Sequence, residues 1–202
     1  MNTRPWRPPE FLPQGTAPVL ACLALLVAAG ITAAALLLWM ERARRETRYD
    51  PVIFEAARRH GVSPFLVKAV VWKESRFRPD AVGGAGEVGL MQITDIAVRE
   101  YHRVTGRSLP PKAARFSPRV NVEIGAWYLG RAVKQWQDYR SGEILALCEY
   151  NAGPSRARNW APEDPNRELT LNEVRIASTR DYIKQVRQKK KQLEKENRRR
   201  DN

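Results

Sequence analysis

The sequence predicts an all-α domain carried behind a single apolar N-terminal helix. Three observations lead there. Apolar residues recur at helical spacing, as at Val122, Ala126, Leu129, Val133 and Trp136. Capping residues followed by proline mark helix starts, and glycines mark stops. No segment shows the apolar–polar alternation of a half-buried strand. A chain of 202 residues leaves room for one such domain plus appendages.

The elements follow in order. Residues 1–18 form a short segment with Arg4 and Arg7, expected to be cytoplasmic. No charged residue occurs from Phe11 to Met40. The apolar run of residues 19–40 has the length of a bilayer-spanning helix, and Trp39 suits the interface. It is longer than a signal-peptide core, so an uncleaved anchor is expected, although Ala33–Ala35 leave cleavage open. Val19–Cys22 superficially resembles a lipoprotein box, but its cysteine precedes the apolar run instead of following it. Residues 41–48 read as a charged linker.

The domain proper is placed at residues 49–186. "YDPVIFEAARRHG" reads as a helix capped by Asp50, with Pro51 in its first turn and Gly61 at its end. "SPFLVKAVVWKES" repeats that grammar with Ser63 and Pro64. Phe77 to Gly89 is a glycine-rich loop. Thr94 caps a short helix, and Thr105 to Pro118 is a second loop. Two further helices cover "NVEIGAWYLGRAVKQW" and "SGEILALCEYNAG". A polar loop with Pro162 and Pro165 leads to a last helix starting near Leu171. Residues 187–202 form a basic tail.

Net charge is +13, and residues 187–202 carry +5 of it. The domain itself is only mildly basic, which argues against specific nucleic-acid binding. The tail suits an anionic lipid surface or an anionic envelope polymer. Cys22 and Cys148 lie in different regions, so no disulfide forms within the domain, and Cys148 reads as a small buried residue. His60 and His102 lack metal-ligand spacing. No metal and no cofactor are expected.

One carboxylate stands out. Leu66, Val67, Val70 and Val71 make a stripe, and Glu74 continues it at the helix C-terminus. Burial and the helix dipole both disfavour its charged form, which suits a general acid. A structural ion pair with Lys73, Arg76 or Arg78 is the alternative reading. Around Glu74 lie residues with uses of their own. Gly83, Gly84, Gly86 and Gly89 let backbone approach a ligand. Gln92 offers a donor and an acceptor to sugar groups. Tyr150 and Tyr182 offer apolar faces with polar tips. Asn151, before Ala152 and Gly153, could equally be a helix stop.

Taken together and in this order, "ESRFRPDAV", "GLMQI", "NVEIGAWYL", "EYNAG" and "TRDYIKQV" resemble the motifs of the soluble-lytic-transglycosylase (SLT) domain of bacterial cell-wall enzymes, relatives of goose-type lysozyme. The resemblance runs from about Asp50 to Val186. It implies a lysozyme-like α fold, with Glu74 as catalytic acid/base. It also implies substrate contacts from Ser75, Gly89, Met91, Gln92, Tyr150, Asn151 and Tyr182. The implied reaction is non-hydrolytic cleavage of the MurNAc–GlcNAc β-1,4 bond of peptidoglycan, leaving a 1,6-anhydro-MurNAc end. Three positions depart from the pattern. "GGAGE" (residues 83–87) stands where many members have Ser-Pro-Ala-Gly-Ala, so a serine is missing at 83. Residue 149 is glutamate where alanine is usual, and residue 178 is serine where glutamate is common. Glu87 and Glu149 are therefore possible second carboxylates, which would make the enzyme a lysozyme-type hydrolase. A non-catalytic peptidoglycan-binding scaffold is a further alternative. With the apolar run read as a single-pass anchor in the bacterial inner membrane, the resemblance implies that the domain behind it faces the periplasm. The arginines after the span (Arg42, Arg44, Arg45 and Arg48) favour the opposite orientation.

Overall fold

A computed structural model describes residues 16–200. The expected N-terminal segment, with Arg4 and Arg7, lies almost entirely outside the described residues. The chain forms two units, one ending at Arg44 and the other beginning at Arg45.

The first unit is the greater part of α1 (Thr16–Arg48). This helix is long and apolar enough to cross a membrane, with a mean hydropathy of 2.5 over its best window. Its large apolar side chains are exposed: Leu25 is 71% and Leu38 73% accessible. The core helix of a soluble domain would bury such residues, so this exposure fits a lipid environment. Residues 41–48, expected as a linker, continue the same helix.

The second unit is all-α. Its helices are α2 (Asp50–Arg59), α3 (Pro64–Ser75), α4 (Asp95–Thr105), α5 (Pro118–Gln135), α6 (Gly142–Ala152), α7 (Pro154–Trp160) and α8 (Ala177–Arg200). Ser63 caps α3, its Oγ accepting from Leu66 N at 3.4 Å, and Thr94 caps α4 at 3.1 Å. Asp50 does not cap α2. Tyr49 occupies that place, and the Asp50 carboxylate pairs with the buried Lys68 of α3 at 2.6 Å. Lysine is rarely buried without such a partner, and this pair ties the start of the domain to its centre.

α3 packs on α2 and α8, and α5 packs on α2 and α6. Leu66 to Val71 are all buried, so α3 is enclosed on more sides than a single stripe would need. α5 is buried without interruption from Asn121 to Trp127. Each aliphatic side chain so enclosed contributes roughly 1.5–3 kcal/mol of transfer free energy.

Further stretches differ from the sequence expectation. α7 occupies part of the expected polar loop, with Pro154 in its first turn. The last α-helix begins at Ala177, preceded by a 3-10 turn at Leu171–Glu173 that Thr170 and Glu173 cap reciprocally. α8 passes residue 186 without a break. Its buried stripe of Thr179, Tyr182, Ile183, Val186, Lys189 and Leu193 extends well into the basic segment.

Candidate active site

The site is built where α3 ends. Arg76 (φ 54°) and Phe77 (φ 62°) follow α3 in left-handed conformation, and Gln92 (φ 46°) shares it. These are the three non-glycine residues at positive φ among the described residues. All three lie in the segment that follows Glu74. Such backbone is held at a cost of order 1–3 kcal/mol per residue, and it collects at functional sites.

A scaffold holds this loop from below. Asn121 on α5 accepts from Met91 N at 2.7 Å and donates to Val88 O at 2.8 Å. Gly89 has φ 77°, and a side chain there would run into Asn121, so both conformation and space require glycine. One turn along α5, Gly125 leaves room for the Met91 side chain. Asn121 and Gly125 thus share one helix face, one gripping the loop and the other admitting it. Neither was among the sequence-predicted site residues, although both stand in the "NVEIGAWYL" motif. Ser75 is buried, and its hydroxyl lies between Val71 O (3.1 Å) and Leu90 O (2.9 Å). Tyr150 OH donates to Met91 O at 2.8 Å. Gln92 Nε2 donates to Gly89 O (2.9 Å) and Ala81 O (3.2 Å). Asn151 is exposed, and its Oδ1 accepts from Thr179 Oγ1 at 2.8 Å.

Glu74, Gln92, Tyr150 and Tyr182 are therefore gathered around one end of α3. Ser75, Gly89 and Met91 are buried beneath them and turn their polar groups toward the protein. Asn151 joins α6 to α8.

Tyr182 OH donates to Glu74 Oε1 at 2.7 Å, across 108 residues of sequence. The cations next to Glu74 in sequence are engaged elsewhere. Lys73 Nζ donates to Gln185 Oε1 at 3.2 Å, and Arg78 Nε donates to Ser75 O at 3.3 Å. The Arg76 guanidinium lies over the Trp72 ring, 3.6 Å from its centroid. Burial raises the Glu74 pKa to about 7. The Tyr182 hydrogen bond and the charge of Lys73 oppose that rise, and the charge of Glu87 adds to it. Burial also drives Tyr150 and Tyr182 well above the usual phenol range, so both stay protonated donors. The result is a half-buried carboxyl that can hold or release a proton near neutrality, with a fixed phenol beside it.

Glu149 is not part of this group. It is fully buried, accepting from Trp136 Nε1 at 2.9 Å and pairing with Arg131 at 3.3 Å. It braces α6 against α5 and cannot reach a water in the cleft. Cys148 is likewise buried, and burial pushes its thiol up to about 12.

Comparison with known proteins places this arrangement. The transglycosylase SLT domain matches residues 51–171. Membrane-bound lytic murein transglycosylase C of Yersinia enterocolitica is 28% identical over 134 residues, covering 63% of this chain and 37% of that protein. Membrane-bound lytic murein transglycosylase F of Desulfosudis oleivorans is 33% identical over 139 residues, covering 64% of this chain and 29% of that protein. The chain thus spans about a third of the length of these curated relatives. Among solved structures, an inactive glutamate-to-glutamine mutant of the Pseudomonas aeruginosa lytic transglycosylase Slt superposes with TM-score 0.62. It is 29% identical, over 69% of this chain and 23% of that one. With a lysozyme-like all-α domain matched over more than half its length, the chain belongs to the transglycosylase SLT domain family.

Proposed function

We propose that this protein is a peptidoglycan lytic transglycosylase with Glu74 as its catalytic acid and base. The observation that carries the reading is the Glu74 carboxyl, hydrogen-bonded to Tyr182 and half-protonated near pH 7 because burial outweighs the charge of nearby Lys73. The inactive glutamate mutant of the Pseudomonas relative supports a glutamate in this role.

Glycosidases ordinarily use two carboxylates, one as acid and one as base or nucleophile. A lone glutamate suffices when the sugar supplies its own nucleophile. Protonated Glu74 gives its proton to the bridging oxygen of the MurNAc–GlcNAc bond as the C1–O bond breaks. The N-acetyl group of MurNAc stabilises the positive charge at C1. Glu74, now a carboxylate, takes the C6 hydroxyl proton while O6 bonds to C1. A 1,6-anhydro ring results, no water is consumed, and Glu74 ends protonated as it began. The attack is intramolecular, so its effective concentration is high. Tyr182 keeps one Glu74 oxygen engaged and leaves the other to the sugar. Gln92 and Tyr150 line the approach.

The chemistry requires the domain outside the cytoplasmic membrane. α1 is therefore read as an anchor in the bacterial inner membrane, N-terminus inside, with the cell wall within reach of the domain. The exposed Arg198–Arg200 at the end of α8 are read as a contact for anionic lipid or envelope polymer.

The test is digestion of purified peptidoglycan by wild-type protein and Glu74→Gln, followed by mass spectrometry. Anhydro-muropeptides from the wild type alone are expected. Products heavier by one water would assign a hydrolase instead. Binding without products from either protein would assign a scaffold.

A further inference from the structure

The Ala81–Gly89 loop carries a second acid whose placement the proposed reaction does not use. Val82 and Val88 bridge across the loop, and Gly83 N donates to Glu87 O at 2.8 Å. Gly86, at φ 88°, closes the turn, its N–H donating to Gly83 O at 3.2 Å. Residues 83 and 87 therefore face each other. The Glu87 carboxylate folds back over the turn, Oε2 accepting from Ala85 N at 3.0 Å.

Gly83 is not among the glycines with positive φ, so its backbone does not require glycine. Space does. A Cβ at 83 would fall on Glu87 Oε2 and lie 2.7 Å from Gln92 Oε1. The bare glycine thus makes room for two acceptor oxygens side by side. Both donor hydrogens of Gln92 are spent on Gly89 O and Ala81 O, so Oε1 presents only lone pairs. Two acceptors, one of them charged, make a seat for a hydrogen-bond donor.

We propose that Glu87 and Gln92 Oε1, meeting over Gly83, form a substrate-positioning pair that accepts hydrogen bonds from a hydroxyl or acetamido N–H of the glycan. This deepens the proposed function and rests on it. The pair takes the space of a side chain at position 83, so residues 83 and 87 act as one unit. Glu87 serves binding, and its charge also reaches Glu74. The groups facing Glu74 are Lys73 on α3, Tyr150 on α6, Tyr182 on α8 and Glu87 in the loop. Loss of the Glu87 charge moves the Glu74 titration to lower pH.

The full chain in detergent, with purified peptidoglycan as substrate, provides the test. Glu87→Gln is expected to raise KM roughly tenfold with kcat nearly kept, as loss of a charged hydrogen bond does. The basic limb of its pH profile should move to lower pH. Gly83→Ala displaces only the flexible ends of two side chains, so it should fold and give a comparable KM defect. Because both variants disturb one unit, Gly83→Ala/Glu87→Gln should add little to either alone. An unchanged KM and pH limb in Glu87→Gln, or strictly additive effects, would overturn the proposal. Sedimentation of Glu74→Gln with peptidoglycan, against Glu74→Gln/Glu87→Gln, reads binding without turnover. Weaker retention of the double variant supports the pair, and equal retention counts against it. If Glu74→Gln itself stays active, the parent assignment has failed, and that result is separable from all of these.

Discussion

Glu74 and Glu123 are both glutamates drawn largely out of water on helices, and they finish at opposite ends of the carboxylate range. At the end of α3, burial prevails and Glu74 rises to about 7. On α5, burial also pushes Glu123 up, but hydrogen bonds and charge from His60 and Arg59 outweigh it and bring the pKa down to about 2. Arg59 reaches Glu123 Oε2 through Nη2 at 2.6 Å and Nε at 3.1 Å, while Arg107 reaches Oε1 at 3.1 Å. Glu74 has one phenol in place of that cage. Desolvation sets the demand, and the supply of cations decides which protonation state satisfies it. One region is arranged to stay charged and hold α5 to α2. The other can take up or release a proton near neutrality.

The sharpest way to break this contrast is Glu74→Gln. Loss of the transferable proton is expected to lower turnover by about 10³-fold, read as release of anhydro-muropeptides, with peptidoglycan binding retained. The same variant should be more stable than wild type above neutral pH. The folded pKa lies above the ordinary carboxylate value of 4.5, so ionisation opposes folding. The penalty is absent below 4.5, grows between 4.5 and 7, and is complete above 7. Urea unfolding should show Glu74→Gln gaining up to about 3 kcal/mol at pH 8 relative to pH 4.

Glu123→Gln should do the reverse. Its folded pKa is depressed, so its stabilisation is present above 4.5 and is lost as pH falls toward 2. The variant should lose about 2 kcal/mol at neutral pH, less than a wholly buried pair would, because Arg107 and part of Arg59 reach water. Its acid unfolding should be correspondingly flatter, and activity per folded molecule should be kept. The smallest effect is expected from Tyr182→Phe. The lost hydrogen bond favoured the carboxylate, so the Glu74 pKa should rise by less than about one unit. The basic limb of the pH–rate profile then moves to higher pH, opposite in sign to Glu87→Gln.

Much of this was legible in the sequence because it is local. Ser63 and Thr94 announce their helices by side chains three residues from the amides they cap. The 3.6-residue period puts Glu74 on an apolar face, so its desolvation could be expected. Other features were hidden for equally physical reasons. Asp50 reads as a cap, yet a lysine 18 positions on claims its carboxylate. The basic segment after residue 186 reads as a solvated tail, since lysines and arginines dominate it. The buried Lys189 and Leu193 show that the helix stays docked, as do the ion pairs of Lys189 with Glu46 and of Arg187 and Lys190 with Glu143 on α6. Ser75 and Met91 sit in motifs that suggest ligand contact, while their side chains are turned inward as struts.

The sequence by itself determined that the chain is helical, that an apolar span precedes the domain, and that one glutamate is carried toward the core on an apolar face. Period, capping chemistry and residue type settle those matters over a few neighbouring residues. Tertiary structure alone decided at which glutamate burial outweighs the nearby cations. It brought Tyr182 to Glu74 across 108 residues, sent Lys73 to Gln185, and set Glu87 over the bare Gly83. A carboxyl's pKa depends on all the charges and dipoles within several ångströms, and that neighbourhood exists only once α3, α6 and α8 have packed.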